Sequence, residues 1–287
     1  LQDHLRIGGT EKQTLALPRY GQENGYQTGL LVFRTGGRLS VSADPSFFYK
    51  TLQPFNTGID EWAPGLIGKI ESFAPDALVF MGKVSHLYLE KLKQRFPEVS
   101  MIATFRSGKP PAPYYRRALG AAHGILTNNY AEEARLTQKN KSSAKKIHTV
   151  HNGCLLPMEL QVSLSKPSDT LRILCVAMFR PQKNQAELIT ILSKLPASLS
   201  WRCTLAGTGK TLNSSKVLAK SLNLEERVRF VSTSHPQSLY ETHDIAVSTS
   251  DKEGLPNSLI EAQWAGLPVV AYLVNGVGEC FEESVSG

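Results

Sequence analysis

No apolar run in the 287-residue chain approaches the ~20 residues needed to span a bilayer. The uncharged stretch from Gly29 to Phe33 is too short for the core of a secretory leader. A cytoplasmic location is therefore expected. Cysteine is scarce: Cys154, Cys175, Cys203 and Cys280 are scattered, with no CxxC pair and no histidine at zinc-finger spacing. Neither a disulfide framework nor a structural zinc site is supported, and Cys175 and Cys203, inside apolar runs, are expected to be small core residues. No Asp-x-Asp triplet occurs, so the usual carboxylate grip on a metal-bound diphosphate is missing and no metal is expected. The segment Leu205-Ala206-Gly207-Thr208-Gly209-Lys210-Thr211 ends like a phosphate-binding P-loop but carries Thr204 where that motif needs glycine. It is expected to be a glycine turn at a strand end. Internal repeats and low-complexity tracts are lacking too. The first residue is Leu1 rather than Met, so the sequence is expected to lack the protein's true beginning.

What is present has the balance of a globular protein, 41% hydrophobic and 20% charged. The net charge of +7 is unevenly placed. Residues 1–155 hold 20 Lys and Arg against 12 Asp and Glu, a balance of +8, whereas the remainder holds 12 against 13, a balance of −1. A basic half beside a neutral half points to an anionic partner for the first: membrane lipid, a phosphorylated acceptor or nucleic acid. No nucleic-acid recognition motif accompanies the charge, so no nucleic acid is expected.

Short apolar runs alternate with amphipathic stretches, the pattern of parallel sheets with crossover helices. In the first half, strands are predicted at Gln27–Phe33, Asp76–Met81, Val99–Phe105, Gly124–Thr127 and Ile147–His151. Helices are predicted near Thr10–Glu23, Asp60–Phe73, Val84–Phe96, Pro113–Ala121 and Tyr130–Gln138. Periodicity stops after His151, where Asn152-Gly153 signals a turn and a Pro-, Ser- and Lys-rich tract follows. It restarts with strands at Arg172–Ala177, Trp201–Ala206, Arg227–Val231, Ile245–Ser248 and Pro268–Ala271. Intervening helices fall at Asn184–Leu195, Thr211–Leu222 and Asn257–Ala265, with a short one near Pro236–Tyr240. The fold class is α/β, with two doubly wound Rossmann-like domains facing a cleft. The first covers residues 1–151, a linker 152–170 and the second 171–287.

The richest chemistry lies at Ser248–Gly266. A strand ends at Ser248, a loop carries Glu253 and Gly254, and a helix starts near Pro256 or Asn257, which could cap it. Ligands of open α/β sheets bind at the carboxyl ends of the strands. There a helix N-terminus favours a phosphate or sugar oxygen. Glu261 lies one turn into the helix, so that it and Glu253 would flank one pocket.

Glu253-Gly254-Leu255-Pro256-Asn257-Ser258-Leu259-Ile260-Glu261-Ala262, followed by Ala265-Gly266-Leu267-Pro268-Val269-Val270-Ala271, closely resembles the E-G-[FL]-P-N-x-x-x-E-A region of retaining family 4 glycosyltransferases, glycosyl transferases group 1 of the glycosyltransferase-B fold. The resemblance implies that Glu253 meets hydroxyls of the transferred sugar and Glu261 the ribose of the nucleotide. Backbone N–H groups of Gly254, Leu255, Asn257 and Ser258, with Pro256 in the same turn, would line sugar and phosphate. Arg180-Pro181-Gln182-Lys183 resembles the family's R-x-x-K turn, implying that Arg180 and Lys183 hold the donor diphosphate. Arg6 to Lys12 resembles the Gly-Gly-x-Glu loop, with Gly8 and Gly9 closing over the donor phosphates. His151-Asn152-Gly153 resembles the interdomain entry, and Gly276–Glu279 the last glycine-rich segment. Only seven residues precede Gly8, and the chain stops at Gly287, so the family's first strand and its C-terminal end are expected to be missing.

The resemblance implies a metal-independent, cofactor-free enzyme moving a hexose from a nucleoside-diphosphate sugar with retention of configuration. Its acceptor would be lipid-linked or a saccharide, as in cell-envelope polysaccharide synthesis, with peripheral contact to an anionic membrane. The basic loop Phe105–Arg117 is a candidate for acceptor or lipid contact, and Lys139–Lys146 should lie at the opposite end of the sheet. Three other readings stay open: a sugar-nucleotide epimerase, an inverting transferase on the same fold, and a truncated non-catalytic module binding nucleotide or an anionic polymer.

Overall fold

A computed structural model describes residues 1–6, 8–40, 47–106, 110–139, 146–154, 169–233 and 236–282. The chain divides into two compact units, Leu1–Asn152 and Gly153–Gly287. Most of the tract read as a linker, and most of Lys139–Lys146, lie outside the described residues.

In the first unit, β1 (Gly29–Val32) pairs with β2 (Phe48–Thr51), while β3 (Ala77–Phe80), β4 (Ser100–Phe105), β5 (Gly124–Thr127) and β6 (Ile147–Thr149) form a second parallel sheet in that order. Leu1–Asp3 stitch the two together. The Gln2 N–H donates to Leu31 O at 3.0 Å and Phe33 N–H to Gln2 O at 2.9 Å, while Met81 N–H donates to Leu1 O at 2.9 Å on the other flank. These residues hold the central place in the sheet, where the first strand was expected to be missing. Chain order runs outward from them in both directions, which makes their carboxyl end the unit's switch point. Among the described residues, five α-helices cover the faces: α1 (Gly9–Glu23), α2 (Leu66–Phe73), α3 (Leu89–Arg95), α4 (Pro113–Ala121) and α5 (Tyr130–Lys139). Phe33, Ile70, Phe80, Leu89, Met101 and Phe105 fill the core between them.

Two expectations needed correction here. The helix predicted from Asp60 starts only at Leu66, because Pro64 disfavours helical backbone before it and Gly65 is left-handed, at φ 69°. The helix predicted from Val84 opens as a 3₁₀ turn over Val84–Tyr88. Strand β2 was not predicted.

The second unit is a five-stranded parallel sheet in the order β11 (Val269–Ala271), β10 (Ile245–Ser248), β7 (Leu171–Val176), β8 (Trp201–Ala206), β9 (Val228–Val231). Its helices are α6 (Gln185–Leu192), α7 (Leu212–Ser221), the single turn α8 (Gln237–Tyr240) and α9 (Asn257–Trp264). Both sheet faces are covered, which is why Ile173-Leu174-Cys175 is an unbroken apolar run. Cys175 and Cys203 pack with Ile189 and Leu205 on one face, and Leu174 with Ala246, Leu259 and Ala262 on the other. Burial pushes the Cys175 thiol up to about 12, so it stays protonated.

The P-loop-like segment is a packing turn. Phe179 N–H donates to Thr208 O at 2.8 Å. The backbones approach so closely that a Cβ on Gly207 (φ 152°) would lie 2.0 Å from Ala177 O. Gly207→Ala should therefore lower stability by about 2–4 kcal/mol. Gly68→Ala, inside α2 with nothing within 4 Å of its added Cβ, should raise it by about 0.5–1 kcal/mol. Denaturant titration of both variants checks the opposite signs; equal shifts would refute the close-packed turn.

Candidate functional site

β7 and β10 pair over only two residue pairs, Ile173 with Ile245 and Leu174 with Ala246, whereas β7 pairs with β8 over six. The adjoining carboxyl ends of β7 and β10 form the switch point of the second unit, where open α/β sheets take their ligands. Two loops meet there. After β7 the chain runs through Arg180 into a 3₁₀ turn, Pro181–Lys183, and then through Asn184 in the left-handed region at φ 47°, a conformation Asn tolerates. After β10 come Thr249 to Pro256. Thr249 Oγ1 donates to Asn184 O at 2.9 Å, Asp251 N–H to Gln182 O at 3.0 Å and Asn184 Nδ2 to Asp251 Oδ1 at 3.1 Å.

Across this junction the Lys183 ammonium donates to the Glu253 carboxylate. Glu253 is 8% exposed, and a carboxylate so enclosed is costly unless paired. Arg180 lies exposed on the same turn, its carbonyl accepting from Lys183 N–H at 2.9 Å, and makes no ion pair among the described residues. The site thus sets Lys183 against Glu253, with Arg180 exposed on the same turn.

α9 begins at the same loop. Pro256, not Asn257, holds the cap position, Asn257 is the first helical residue, and no side chain caps the helix. The expected Asn257 cap is therefore corrected: proline's fixed φ already starts the turn, and Leu259 N–H donates to Pro256 O at 3.1 Å. Leu255 and Pro256 are buried, while Gly254 and Ser258 are half-buried. Glu261 is buried and accepts from the Tyr240 hydroxyl at 3.0 Å. Tyr240 was missed by sequence reasoning, since nothing local links it to a glutamate 21 positions on. Burial, then the Glu261 charge and bond, push the Tyr240 phenol well above its ordinary value, so it remains a donor.

In the first unit, Gly8 caps α1 and Gly9 is its first residue. A Cβ on Gly8 would stand 2.0 Å from Glu11 Oε2, so the Glu11 carboxylate lies against the Gly8 backbone. The expected acceptor loop is corrected in part. Tyr115 is a core residue, its hydroxyl donating to Thr104 O and its ring 4.2 Å from that of His86, because it faces inward from α4. Arg106 donates to Asn152 Oδ1, and burial pushes its guanidinium down to about 10. Arg116 and Arg117 are exposed, and Ser107–Lys109 lie outside the described residues. Sequence reasoning also missed Arg34 and Asp60, which meet Arg6 at the carboxyl end of the same sheet.

Comparison with known proteins agrees with this geometry. Residues 159–287 match the model of the family described as glycosyl transferases group 1, and the likeness to that family is shown over this segment. The Vi polysaccharide biosynthesis protein VipC/TviE of Salmonella typhi is 30% identical over 196 residues, 62% of this chain and 34% of that protein. The amylovoran biosynthesis glycosyltransferase AmsD of Erwinia amylovora is 30% identical over 149 residues, 48% of this chain and 42% of that protein. The chain thus spans well under half the length of these relatives. Anabaena HepE, solved in complex with UDP and glucose, is 19% identical and superposes with a TM-score of 0.76 over 100% of this chain and 83% of its own. The fold is that of the glycosyltransferase-B proteins.

The paired charges predict a specific stability pattern. Lys183→Met leaves Glu253 enclosed and unpaired, and should cost about 2 kcal/mol, less than for a fully buried pair because 22% of the lysine side chain is exposed. Adding Glu253→Gln should recover most of that loss. Thermal melts of the single and double variants provide the check, and a double variant no more stable than the single would contradict the pairing.

Proposed function

We propose that this chain, with its group 1 segment, is the working core of a glycosyltransferase that moves a hexose from a nucleoside-diphosphate sugar to a saccharide or lipid-linked acceptor. One observation carries the reading: the Lys183–Glu253 pair beside an exposed Arg180, at the switch point and within the matched segment. Cleaving a sugar–phosphate bond places negative charge on the departing diphosphate. Cations already fixed in place stabilise that charge more in the transition state than in the ground state. Each charge-assisted hydrogen bond contributes about 1.5–3 kcal/mol, one to two powers of ten in rate. Arg180 and Lys183 take the diphosphate in this reading, Glu253 the sugar hydroxyls and Glu261 the ribose, and the backbone of Gly8 and Gly9 is assigned to phosphate contact. The names of VipC/TviE and AmsD support an acceptor in polysaccharide synthesis, and the UDP and glucose held by HepE make UDP-glucose the first donor to test.

Retention is the stereochemistry this reading predicts, since the same charges can carry a front-face transfer. The inverting alternative would rest on His4, at the carboxyl end of Leu1–Asp3, as its base. An inverting transfer needs a base opposite the leaving group. His86 is locked in the core: its Nδ1 donates to Gly82 O at 2.8 Å, its Nε2 accepts from Thr104 N–H, and burial holds its pKa down at about 4. In a front-face transfer the departing phosphate oxygen takes the acceptor proton, so Arg180, Lys183 and the start of α9 suffice without a metal. Arg180→Ala should cut turnover at least tenfold without loss of stability, since Arg180 holds no other side chain. Chelators should leave the rate intact, and proton NMR of fresh product should show the donor's anomeric configuration. Wild-type turnover in Arg180→Ala removes the diphosphate assignment; an inverted anomer removes the mechanism.

The first unit contributes membrane contact in this proposal. Its charge of +8 is joined by Phe55, Ile59 and Trp62, exposed by 65%, 52% and 43% on one loop. Exposed aromatics and basic residues together suit an anionic bilayer surface, each basic residue adding about 1 kcal/mol that salt weakens. Flotation with liposomes should require anionic lipid, fade with ionic strength, and fall severalfold in Phe55→Ser/Trp62→Ser. Equal binding to neutral liposomes would sink the idea.

A further inference from the structure

Away from the carboxyl-end loops, the amino ends of the first unit's strands enclose a cavity. β1 begins at Gly29 and β2 at Phe48, while α1 ends at Glu23 and α2 at Phe73. The cavity between these four termini measures 390 Å³, within the size range of small-molecule sites. Phe47, 8% exposed and packed with Leu30 and Val32, forms part of its wall. The rings of Phe48 and Phe73 stand side by side, their centroids 5.3 Å apart and their planes 38° from parallel. Both line the cavity and are half-buried, so each ring keeps open surface. Gly29 seats them: a Cβ there would come within 3.1 Å of both rings.

The polar part of the lining is neutral and largely unspent. Gln22 Oε1 accepts from Thr28 N–H at 3.4 Å, which leaves the Gln22 amide NH₂ without a partner among the described residues. Gln27 makes no side-chain hydrogen bond among the described residues. The Ser72 hydroxyl donates to Lys69 O at 3.0 Å and keeps its acceptor lone pairs. Among the described residues no charged side chain lines the cavity, although residues 1–155 carry a balance of +8. A charged ligand would find no counter-ion here, and a purely apolar one would leave both amides unpaired. A sugar ring suits both halves of the lining. Its hydroxyl rim donates and accepts, and its C–H face packs on the electron-rich face of an aromatic ring.

We infer that Phe48, Phe73, Gln22 and Gln27 form a binding site for a neutral saccharide, at the opposite end of the strands from the Gly8 loop. The inference rests on the transferase reading only for the source of the saccharide. That source is either a distal stretch of the acceptor, held while its end reacts elsewhere, or a free sugar.

The backbone amide resonance of Gly29, which lies against both rings, is the local reporter in the full chain. Titrated with maltohexaose or cellohexaose, neutral chains that differ in linkage, it should shift saturably with at least one of them. Phe73→Leu should raise the half-saturating concentration at least fivefold, and the double variant Gln22→Ala/Gln27→Ala at least threefold. Phe55→Ser, which removes a 65% exposed ring beyond the carboxyl end of β2, should match the wild type. Should Phe73→Leu fail to fold, the glutamine variant, whose two side chains are exposed, decides alone. A Gly29 resonance that moves with neither chain, wild-type affinity in the glutamine variant, or an equally large effect of Phe55→Ser overturns the site. Glucose then assigns the source. Affinity within twofold of the hexaose marks a site for one free sugar, and a hexaose bound at least tenfold tighter marks a site for the acceptor chain. Binding is read without any donor nucleotide, so a protein that takes saccharide but transfers no sugar keeps this site and loses only the transferase reading.

Discussion

Parallel pairing with right-handed crossovers forces a sheet to grow outward from its first strand, and the two neighbours of that strand then send their loops to opposite faces. The candidate site of this chain depends on the resulting gap. In the second unit the gap falls between β7 and β10, whose pairing covers just two residue pairs. The loops beyond them are then close enough to be tied by side chains, Thr249 to the Asn184 carbonyl and Lys183 to Glu253, yet the sheet itself leaves room at its carboxyl edge. Glycine at 207 and 209 completes the arrangement by letting the β8 loop press on Ala177–Phe179, which fixes the start of the Arg180–Lys183 turn from behind.

The strands were legible because burial on both faces writes them as short, largely apolar runs: β5, β8 and β10 lie where Gly124–Thr127, Trp201–Ala206 and Ile245–Ser248 were read. β2 was illegible for the converse reason. Phe48–Thr51 is an edge strand of four residues, none fully buried, with a lysine in it, so no apolar run marks it. Leu1–Asp3 are too few to carry a period, and their strand character comes wholly from bonds to Leu31, Phe33 and Met81. The Asp60–Phe73 helix failed at its start because amphipathic spacing continues through residues whose backbone cannot, Pro64 and the left-handed Gly65.

The site was legible only as far as local order carries it. Arg180 and Lys183 on one turn, and Glu253 and Glu261 around one helix start, are features of single segments. Which of them touch is not. Lys183 and Glu253 are 70 positions apart and meet only because β7 and β10 are neighbours, and Tyr240 reaches Glu261 from a helix on another connection. The Arg6–Asp60–Arg34 cluster is farther from local order still: three residues from three separate segments, none remarkable in sequence, joined by the strand order of the first unit.

Set side by side, the two switch points use one electrostatic plan. In each, a cation just after the first strand is clamped by an acid from a neighbouring loop, Arg6 by Asp60 and Lys183 by Glu253, and a second cation, Arg34 or Arg180, lies on the same unit's switch-point loops. The clamp has two opposed effects on an incoming anion. It cancels part of the attraction, and it removes the rotamer freedom that a long basic side chain would otherwise lose on binding, a cost of up to about 2 kcal/mol. A lone pair of opposite charges would keep the second effect but offer no net attraction. The extra cation restores the attraction while the acid keeps its partner in position. The units differ in which cation is restrained: Arg34 is bonded to Asn56 and Arg6 stays partly exposed, whereas Arg180 makes no ion pair among the described residues and Lys183 is held. The unpaired cation therefore sits on the turn after β7 in the second unit, whereas in the first unit both arginines of the cluster hold Asp60.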